Sequence, residues 1–312
     1  MIASSKLGRT GLEVSRLGFG TWQIGGGRWQ APERQECVGM LRAAAERGVN
    51  LFDAAYVYGQ YRSHEAILQS RALELLGEAF GKSELGRSTF VCLKLGQLDE
   101  FSHSADYTPR RMVENFRHAL ALLRRETVDI CLVHAPSLVE VEQGRALAVL
   151  ETLKGLGLAR AIGYSFENEP QHVSAALRQP VDVLMLQYNL IDTLCGAVLN
   201  DAWRNGVGVL VGGPYKRGYL SGRYREVADL PLNDDYWQWN VRLNLSRVTT
   251  TLHQVVSLLD EAGSAAELRR RALKFILDTP PAPCVVVGHR SLSEVEDNIA
   301  TIDQVLQAAS QP

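Results

Sequence analysis

Short β-branched runs alternate along this chain with longer segments in which apolar residues recur at helical spacing. Eight runs have the composition of strands: residues 16–20, 50–53, 89–94, 129–134, 159–165, 183–187, 208–212 and 284–288. Strands that alternate with helices form parallel sheets, because each helix returns the chain to the end of the sheet where the previous strand began. Eight such units can close on themselves, so the sequence predicts an α/β protein with a (β/α)8 TIM barrel.

The helix that follows the third strand has the clearest start signal. Thr108 suits the N-cap position, Pro109 suits the first helical position, and Phe116 and Leu123 lie on one face of the predicted helix. We expect this helix to end near Arg125. Further helices are predicted at residues 34–47, 143–156, 170–178, 265–277 and 293–308.

Two segments lie outside the repeat. Residues 6–15, with Gly8 and Gly11 around a turn, predict a β-hairpin that caps the N-terminal mouth of the barrel. The second segment, residues 214–243, is too aromatic for a disordered linker, and we interpret it as a long ordered loop over the C-terminal face. Its aromatic residues are Tyr215, Tyr219, Tyr224, Tyr236, Trp237 and Trp239.

Length and charge narrow the class of protein. The chain has 312 residues, of which 46% are hydrophobic, and a formal net charge of −2. One barrel accounts for this length, so we predict a single domain over residues 1–312. The absence of a basic surplus argues against nucleic acid as a partner, and no apolar run approaches the roughly 20 residues that span a bilayer.

The cysteines suggest a reducing compartment. They form no CxxC pair, and several lie in apolar strand-like runs, which suits reduced core thiols better than a disulfide or zinc framework. Together with the lack of an apolar leader after Met1, this predicts a cytoplasmic protein. The cysteines are Cys37, Cys92, Cys131, Cys195 and Cys284.

Four polar residues stand at or just after the ends of three successive strands. Asp53 ends the second strand, Tyr58 follows five residues later, Lys94 ends the third strand and His134 ends the fourth. Each alone is more often a cap or a solvated loop residue. In a barrel, however, the carboxyl ends of neighbouring strands meet at one mouth, where ligands bind, so we expect these side chains to converge.

Their chemistry fits proton transfer to an oxygen. A phenol has a pKa of about 10 and is a weak acid at neutral pH, but a nearby ammonium such as that of Lys94 favours the phenolate and lowers this pKa. Asp53 would hold the buried Lys94 in its charged form, since a buried ammonium needs a partner. His134 would hydrogen-bond the substrate oxygen.

With these residues in place, the sequence resembles the aldo-keto reductase family over nearly its whole length. The similar stretches are LGFGTW at 17–22, NLFDAAYVYG at 50–59, the strand that ends at Lys94, VHAP at 133–136, IGYS at 162–165, LQYN at 186–189 and GHRSLSEVEDN at 288–298. The resemblance implies an Asp-Tyr-Lys-His tetrad, here Asp53, Tyr58, Lys94 and His134. It also implies metal-free hydride transfer from a nicotinamide to an aldehyde, ketone or sugar carbonyl, or the reverse reaction. Retention of His134 favours reduction of C=O over C=C.

The resemblance further implies which residues hold the cofactor. Ser165 and Gln187 match residues that hold the nicotinamide carboxamide, and residues 215–222 resemble the loop that covers the pyrophosphate. Trp22, Tyr58 and His134 are the expected substrate contacts. The full set of predicted cofactor residues is Gly20, Thr21, Trp22, Asp53, Ser165, Gln187, Gly212, Pro214, Tyr215, Lys216, Arg217, Gly218, Leu220, Gly288, His289, Arg290, Glu294, Asp297 and Asn298.

The choice between NADPH and NADH depends on the start of the last helix. A free helix N-terminus and the guanidinium of Arg290 can hold the adenosine 2′-phosphate, which favours NADP(H). Glu294 stands where many NADPH-dependent relatives have Arg or Gln, and its charge opposes a phosphate. NAD(H) therefore stays open.

Two positions depart from the family pattern. The Asn that usually follows the serine is Phe166, and the aromatic residue that commonly stacks on the nicotinamide is Gly212. We therefore expect the ring face opposite the substrate to be covered by a side chain outside the strand that ends at Gly212, with Tyr215 or the aromatic segment as candidates, or to be left open. Gly212→Tyr is then expected to tighten cofactor binding or to block it sterically.

Two other functions compete with carbonyl reduction. One is a regulatory barrel subunit that binds the cofactor but turns over slowly, similar to the β subunits of some potassium channels; the other is a metal-dependent hydrolase or lyase. Only Asp53 and His134 qualify as metal ligands, and Lys94 between them would oppose a cation. The substrate, the reaction direction and the oligomeric state are left open by the sequence.

Overall fold

Eight parallel strands close into a barrel, which confirms the predicted fold. The computed structural model describes residues 2–63, 68–100, 102, 104–279 and 283–309. Around the barrel the strands run in the order β10, β11, β12, β3, β4, β7, β8, β9, and β9 pairs back with β10. These strands are β3 (Leu17–Gly20), β4 (Leu51–Ala55), β7 (Phe90–Leu95), β8 (Val128–His134), β9 (Ala159–Phe166), β10 (Val183–Gln187), β11 (Gly208–Gly212) and β12 (Cys284–Gly288). Three of the predicted strands have the predicted bounds, and the other five differ by one or two residues at one or both ends.

Helices surround the barrel, and only some of them were predicted from the sequence. The predicted helices are present, but residues 143–156 are divided at Gly144, whose left-handed φ of 66° ends one helix and begins the next. The helices are α1 (Trp22–Gly25), α2 (Arg34–Glu46), α3 (Arg71–Ala79), α4 (Glu84–Arg87), α5 (Pro109–Leu123), α6 (Leu138–Gln143), α7 (Arg145–Gly155), α8 (Pro170–Ala176), α9 (Gly196–Arg204), α10 (Asp235–Ala262), α11 (Ala265–Leu277) and α12 (Leu292–Ala309).

The barrel has two apolar layers. Alternate strand residues, among them Leu51, Ile130, Val183 and Leu210, fill the interior, while the residues between them pack outward against the helices. This alternation follows from the two-residue period of a strand. The five cysteines are all free and buried, as predicted.

The predicted N-terminal hairpin is present. It pairs β1 (Ser4–Lys6) with β2 (Glu13–Ser15), and Leu7, Leu12 and Val14 join the interior layer of the barrel. Gly8 packs so closely on the start of β11 that a Cβ at Gly8 would lie 2.3 Å from the Gly208 nitrogen. A second hairpin, β5 (Gln60–Arg62) with β6 (Leu68–Ser70), was not predicted.

The aromatic segment is only partly a loop, which corrects the interpretation of residues 214–243. It forms two 3₁₀ turns, Lys216–Ser221 and Val227–Asp229, and then enters the 28-residue α10, whose backbone leaves helical geometry at Asn244. Trp237 lies at the centre of a separate apolar cluster that also contains Tyr219, Leu220 and Val255. We call this cluster and the segments that form it the cap. Within the described part of the chain, no helix combines the length and apolar character needed to cross a membrane.

Candidate active site

A cavity of about 770 Å³ opens at the carboxyl ends of the barrel strands. Residues at the ends of successive strands line it, including Asp53, Lys94, His134, Ser165 and Gln187. The cap forms the opposite side. The cavity thus lies where a (β/α)8 barrel concentrates side chains from several strands.

The lysine near the end of β7 contacts two of the other three members of the predicted cluster. Lys94 Nζ donates to Asp53 Oδ2 at 2.8 Å and to Tyr58 Oη at 2.8 Å. Parallel pairing of β4 with β7 brings the two strands together, and the Tyr56 nitrogen donates to the Lys94 carbonyl at 3.0 Å. This bond ties the turn that carries Tyr58 to the neighbouring strand, so backbone structure sets the position of the phenol.

Burial governs the acidity of this cluster. Removal from water raises the pKa of Tyr58 to about 12, although the Lys94 ammonium opposes the rise. The expectation that Lys94 would bring this pKa below its ordinary value is therefore wrong: the direction of the lysine's effect is right, but burial outweighs it. Burial acts to lower the pKa of Lys94 itself, yet Asp53 and Tyr58 raise it above its ordinary value, so the lysine is an ammonium.

Two further predicted residues flank the phenol. His134 ends β8, and its ring meets that of Tyr58 edge-on, with the centroids 5.8 Å apart. On another side Trp22 stacks on Tyr58 at 5.9 Å and meets Trp29 edge-on at 5.1 Å. The phenol therefore lies between an imidazole and an aromatic wall.

Most predicted cofactor residues line the cavity, but three do not. Thr21 is fully buried and its hydroxyl donates to the Asp53 carbonyl. Leu220 belongs to the apolar cluster of the cap. His289 is buried against the Phe19 ring at 4.7 Å, and burial lowers its pKa to about 4. These three residues belong to the motifs that line the site, and we predicted them as cofactor contacts for that reason. Their side chains instead pack in the protein interior.

The start of α12 differs from the expected phosphate site. Arg290, chosen to hold the 2′-phosphate, pairs instead with the buried Asp234 at 2.6 Å and lies over the Trp29 ring at 5.0 Å. The Glu294 carboxylate accepts hydrogen bonds from the backbone nitrogen of Arg290 at 2.8 Å and from Arg223 Nη2 at 2.7 Å. Burial acts to raise the pKa of Glu294, but these contacts hold it below its ordinary value. The negatively charged carboxylate of Glu294 thus lies at the helix start, where the phosphate was predicted from the sequence.

The two departures from the family pattern have different surroundings. Phe166 lies in the core, stacked on Tyr164 at 5.5 Å, with part of its surface on the cavity. At Gly212 a Cβ would lie 3.3 Å from the Met185 methyl, a tight contact that requires the methionine side chain to shift slightly. Tyr215 lines the same cavity and donates to Asn298 Oδ1 at 2.6 Å.

Several residues that line the cavity were not predicted from the sequence, and Glu100 is one of them. Glu100 lies in the loop that follows β7 and is 8% exposed; burial raises the pKa of its carboxyl to about 7. No motif marks this position, and its distance of six residues from Lys94 was the only available signal. Among the described residues, no group of three or more His, Cys, Asp or Glu side chains is arranged to hold a metal.

The fold and site are those of a barrel oxidoreductase, and comparison with known proteins identifies the family. The model of the Aldo/keto reductase family matches residues 16–310, so the chain belongs to this family of oxidoreductases that act on carbonyls.

Related proteins align over most of their length. Aldo-keto reductase YhdN of Bacillus subtilis is 29% identical over 294 residues, covering 92% of this chain and 85% of the relative. The NADH-specific methylglyoxal reductase of Escherichia coli is 26% identical over 317 residues, covering 95% of this chain and 92% of the relative. The holo form of an aldo-keto reductase from Bacillus halodurans has the same fold, with a TM-score of 0.75 at 20% identity, covering 100% of this chain and 97% of the other.

Proposed function

We propose that this protein reduces an aldehyde or ketone with a nicotinamide cofactor and that Tyr58 protonates the carbonyl oxygen. The observation that carries the proposal is the position of Lys94 Nζ, 2.8 Å from both Asp53 Oδ2 and Tyr58 Oη within the cavity. The family supports the reaction class.

The cavity suits a dinucleotide. Its volume is about 770 Å³, and it extends from the tetrad to Tyr215 and to Asn298 in the second turn of α12. Gly212 lines this cavity without a side chain, and we expect the nicotinamide ring to lie beside it. When bound, the nicotinamide supplies the hydride. Ser165 and Gln187 would orient the ring, and residues 214–218 would cover the phosphates.

The chain's own residues would then handle the proton. Tyr58 gives its proton to the oxygen that gains negative charge, and this transfer is favourable even from a phenol with a pKa of about 12, since an alkoxide is the stronger base. Lys94 stabilises the phenolate that is left, and Asp53 keeps Lys94 charged. His134 orients the substrate oxygen. The aromatic wall of Trp22 and Trp29 limits access of water.

We further propose that NADH is the preferred cofactor. This reverses the expectation from the sequence, because Arg290 is paired with Asp234 and the Glu294 carboxylate occupies the helix start. A phosphate there would face an ionised carboxylate in a partly buried place. One relative is an NADH-specific reductase, which is consistent with this preference.

Replacement of the phenol tests the proposed reaction. Tyr58→Phe removes only the hydroxyl, so NADH binding should persist while reduction of an aldehyde panel falls by about 10²–10⁴-fold. Tyr61→Phe is the matched control, because Tyr61 is 43% exposed and lies outside the cavity. Activity of Tyr58→Phe within a few fold of wild type would reject the assignment. A wild-type protein that binds NADH but reduces no carbonyl would favour the regulatory alternative.

A further inference from the structure

Three loops at the barrel mouth meet around one carboxylate. The Glu100 Oε1 atom accepts a hydrogen bond from the Gly59 nitrogen at 2.7 Å, in a buried position. Gly59 directly follows Tyr58. On the other side of the carboxylate, Oε2 lies 2.6 Å from the place where a Cβ of Gly27 would stand. Glu100 is thus in contact with the loop after β3 and the loop after β4, and it belongs to the loop after β7.

The two loops it joins also touch each other through bare backbone. A Cβ at Gly59 would lie 1.9 Å from the Gly25 carbonyl oxygen, and a Cβ at Gly25 would lie 3.3 Å from the Tyr58 carbonyl carbon. This close contact places Trp22, at the start of α1, against the Tyr58 ring. The geometry of the Trp22–Tyr58 contact depends on the interactions that hold these two loops together. The buried Glu100 carboxylate lies where the two loops meet.

The loop that carries Glu100 is itself anchored. The Leu98 nitrogen donates to the Ser104 carbonyl at 2.8 Å, and the Asp106 nitrogen donates to the Gly96 carbonyl at 2.8 Å. Beyond them, the Tyr107 hydroxyl donates to the His134 carbonyl at 2.9 Å. The same loop therefore braces the backbone at both Tyr58 and His134.

We infer that Glu100 is a positioning residue, which sets the distance and orientation of Tyr58 relative to Trp22 and acts on the phenol through its charge. This inference rests on the proposed role of Tyr58. Glu100 does not reach the reacting atoms in our proposal; it acts through Gly59 and through its electric field.

The effect of the Glu100 charge on Tyr58 can be measured through the pH dependence of kcat. Arg28 in the loop after β3 is the charged group that acts on Glu100, and Asp99 acts on Arg28 in turn. Glu100 acts on Tyr58 together with Asp53 and Lys94. Burial raises the pKa of Glu100 to about 7, and the ionised form raises the pKa of Tyr58. A higher pKa makes Tyr58 a weaker acid. The wild-type kcat for reduction should therefore decrease, by a few-fold, as pH rises through about 7.

Two substitutions of Glu100 separate charge from position. Glu100→Gln keeps an acceptor for Gly59 but has no charge, so it should retain NADH binding and lose the step in kcat near pH 7. Glu100→Ala loses both, and kcat should fall by on the order of 10- to 100-fold because the phenol is misplaced. Asp99→Asn is the control, since it removes the same charge from the neighbouring residue, which does not line the cavity, and should keep the step.

A pair of glycine variants tests the position without touching Glu100. Gly27→Ala puts a methyl group 2.6 Å from Oε2, whereas Gly26→Ala, with a similarly left-handed φ of 84°, has 3.5 Å to its nearest neighbour. Gly26 also has a ψ of −136°, which only glycine adopts readily, so Gly26→Ala strains the backbone of the same loop without displacing Glu100. Only Gly27→Ala should reproduce the kcat loss of Glu100→Ala. If Glu100→Ala does not fold, this pair decides.

The inference is overturned if Glu100→Gln keeps the wild-type step near pH 7, or if Gly27→Ala and Gly26→Ala have equal kcat. These outcomes differ from failure of the proposed function, in which Tyr58→Phe keeps its activity or the wild-type protein reduces no carbonyl. In that case the inference fails as well, because Glu100 would have no proton donor to position.

Discussion

At the scale of single residues, the buried ammonium of Lys94 has two duties, since it neutralises Asp53 and bonds the phenol of Tyr58. The side chains of Lys94 and Asp53 are each only 4% exposed. A buried charge that loses its partner is strongly destabilising, more than the pair is worth in itself. The same contact therefore bears on both stability and activity.

Lys94→Met tests both. We expect the free energy of unfolding to fall by about 3–5 kcal/mol, because Asp53 is left buried without its cation, and kcat to fall at least ~100-fold. Urea unfolding and steady-state kinetics measure the two effects. Lys274→Met is the control: Lys274 pairs with Asp278 at 2.6 Å, and the two side chains are 42% and 48% exposed, so its loss should cost less than about 1 kcal/mol. Equal losses in the two variants would contradict the argument.

Cofactor choice depends on another single residue. Glu294→Gln keeps an acceptor for the Arg290 nitrogen and removes the anion that opposes a 2′-phosphate. The Kd for NADPH should fall roughly tenfold, and the Kd for NADH should change less than about twofold. Fluorescence titration measures both. Glu296→Gln, on an exposed side chain of the same helix that pairs with Arg47, should alter neither. A parallel shift for NADH and NADPH would show that Glu294 does not discriminate between them.

The sequence predicted the positions of those site residues that are fixed by the arrangement of the barrel strands. Asp53, Lys94 and His134 lie in the carboxyl-terminal parts of three neighbouring strands, so a parallel barrel brings them together. It failed where packing decides: the pKa of Tyr58 depends on burial, and Arg290 found a partner in Asp234, 56 residues away along the chain. The assignment of catalytic and cofactor roles stays a prediction until the variants are measured.

At the scale of elements, the cap is a small core of its own above the cavity. Trp237 is 1% exposed and meets Tyr219, Tyr224 and Tyr236 edge-on, whereas Trp239, two residues further along α10, is 41% exposed. The two tryptophans share a helix and differ in burial. They provide a matched pair for testing whether the cap depends on its own core.

Trp237→Ala should destabilise the protein by about 3–5 kcal/mol, the usual cost of removing a large buried aromatic, while Trp239→Ala should cost less than about 1 kcal/mol. Urea unfolding followed by circular dichroism measures the difference. Because the cap forms one side of the cavity, Trp237→Ala should also raise the KM for NADH. Equal stability of the two variants would mean that α10 is held by the barrel alone.

Strands were easier to predict than helices, for a physical reason. Each barrel strand is a short apolar run that is buried on both faces, so composition alone reveals it. The start of α10 carries aromatic residues and exposed leucines at Leu243 and Leu245, and a helix whose apolar face is assembled from such a segment has no simple period. We interpreted its first residues as loop for that reason. The short α3 and α9 were missed as well.

At the scale of the whole molecule, two buried groups give opposite dependences of stability on pH. Burial raises the pKa of Glu100 from 4.5 to about 7, so its contribution is complete below 4.5 and is lost as pH rises through 7. Burial lowers the pKa of His289 from 6.5 to about 4, so its contribution is complete above 6.5 and is lost as pH falls through 4. Between pH 4.5 and 6.5 the two effects oppose each other.

Single variants should reveal each dependence. In Glu100→Gln, of these two groups only His289 makes stability depend on pH. As pH is lowered from 6.5 to 4.5, the free energy of unfolding of this variant should therefore fall by on the order of 3 kcal/mol more than that of wild type. In His289→Phe only the carboxyl acts, and the free energy should rise relative to wild type over the same interval by a similar amount. Urea unfolding at several pH values measures this. Curves parallel to wild type in both variants would refute the compensation.

The barrel closes where β3, near the start of the chain, pairs with β12, near its end. During synthesis on the ribosome, therefore, the open edge of β3 has no partner until almost the whole chain has emerged. An unpaired strand edge is a template for aggregation, and long-range pairing is slow. We expect chains that stop before Cys284 to depend on chaperones or to be degraded, while a circular permutant that joins β12 to β3 through a short linker closes this edge early.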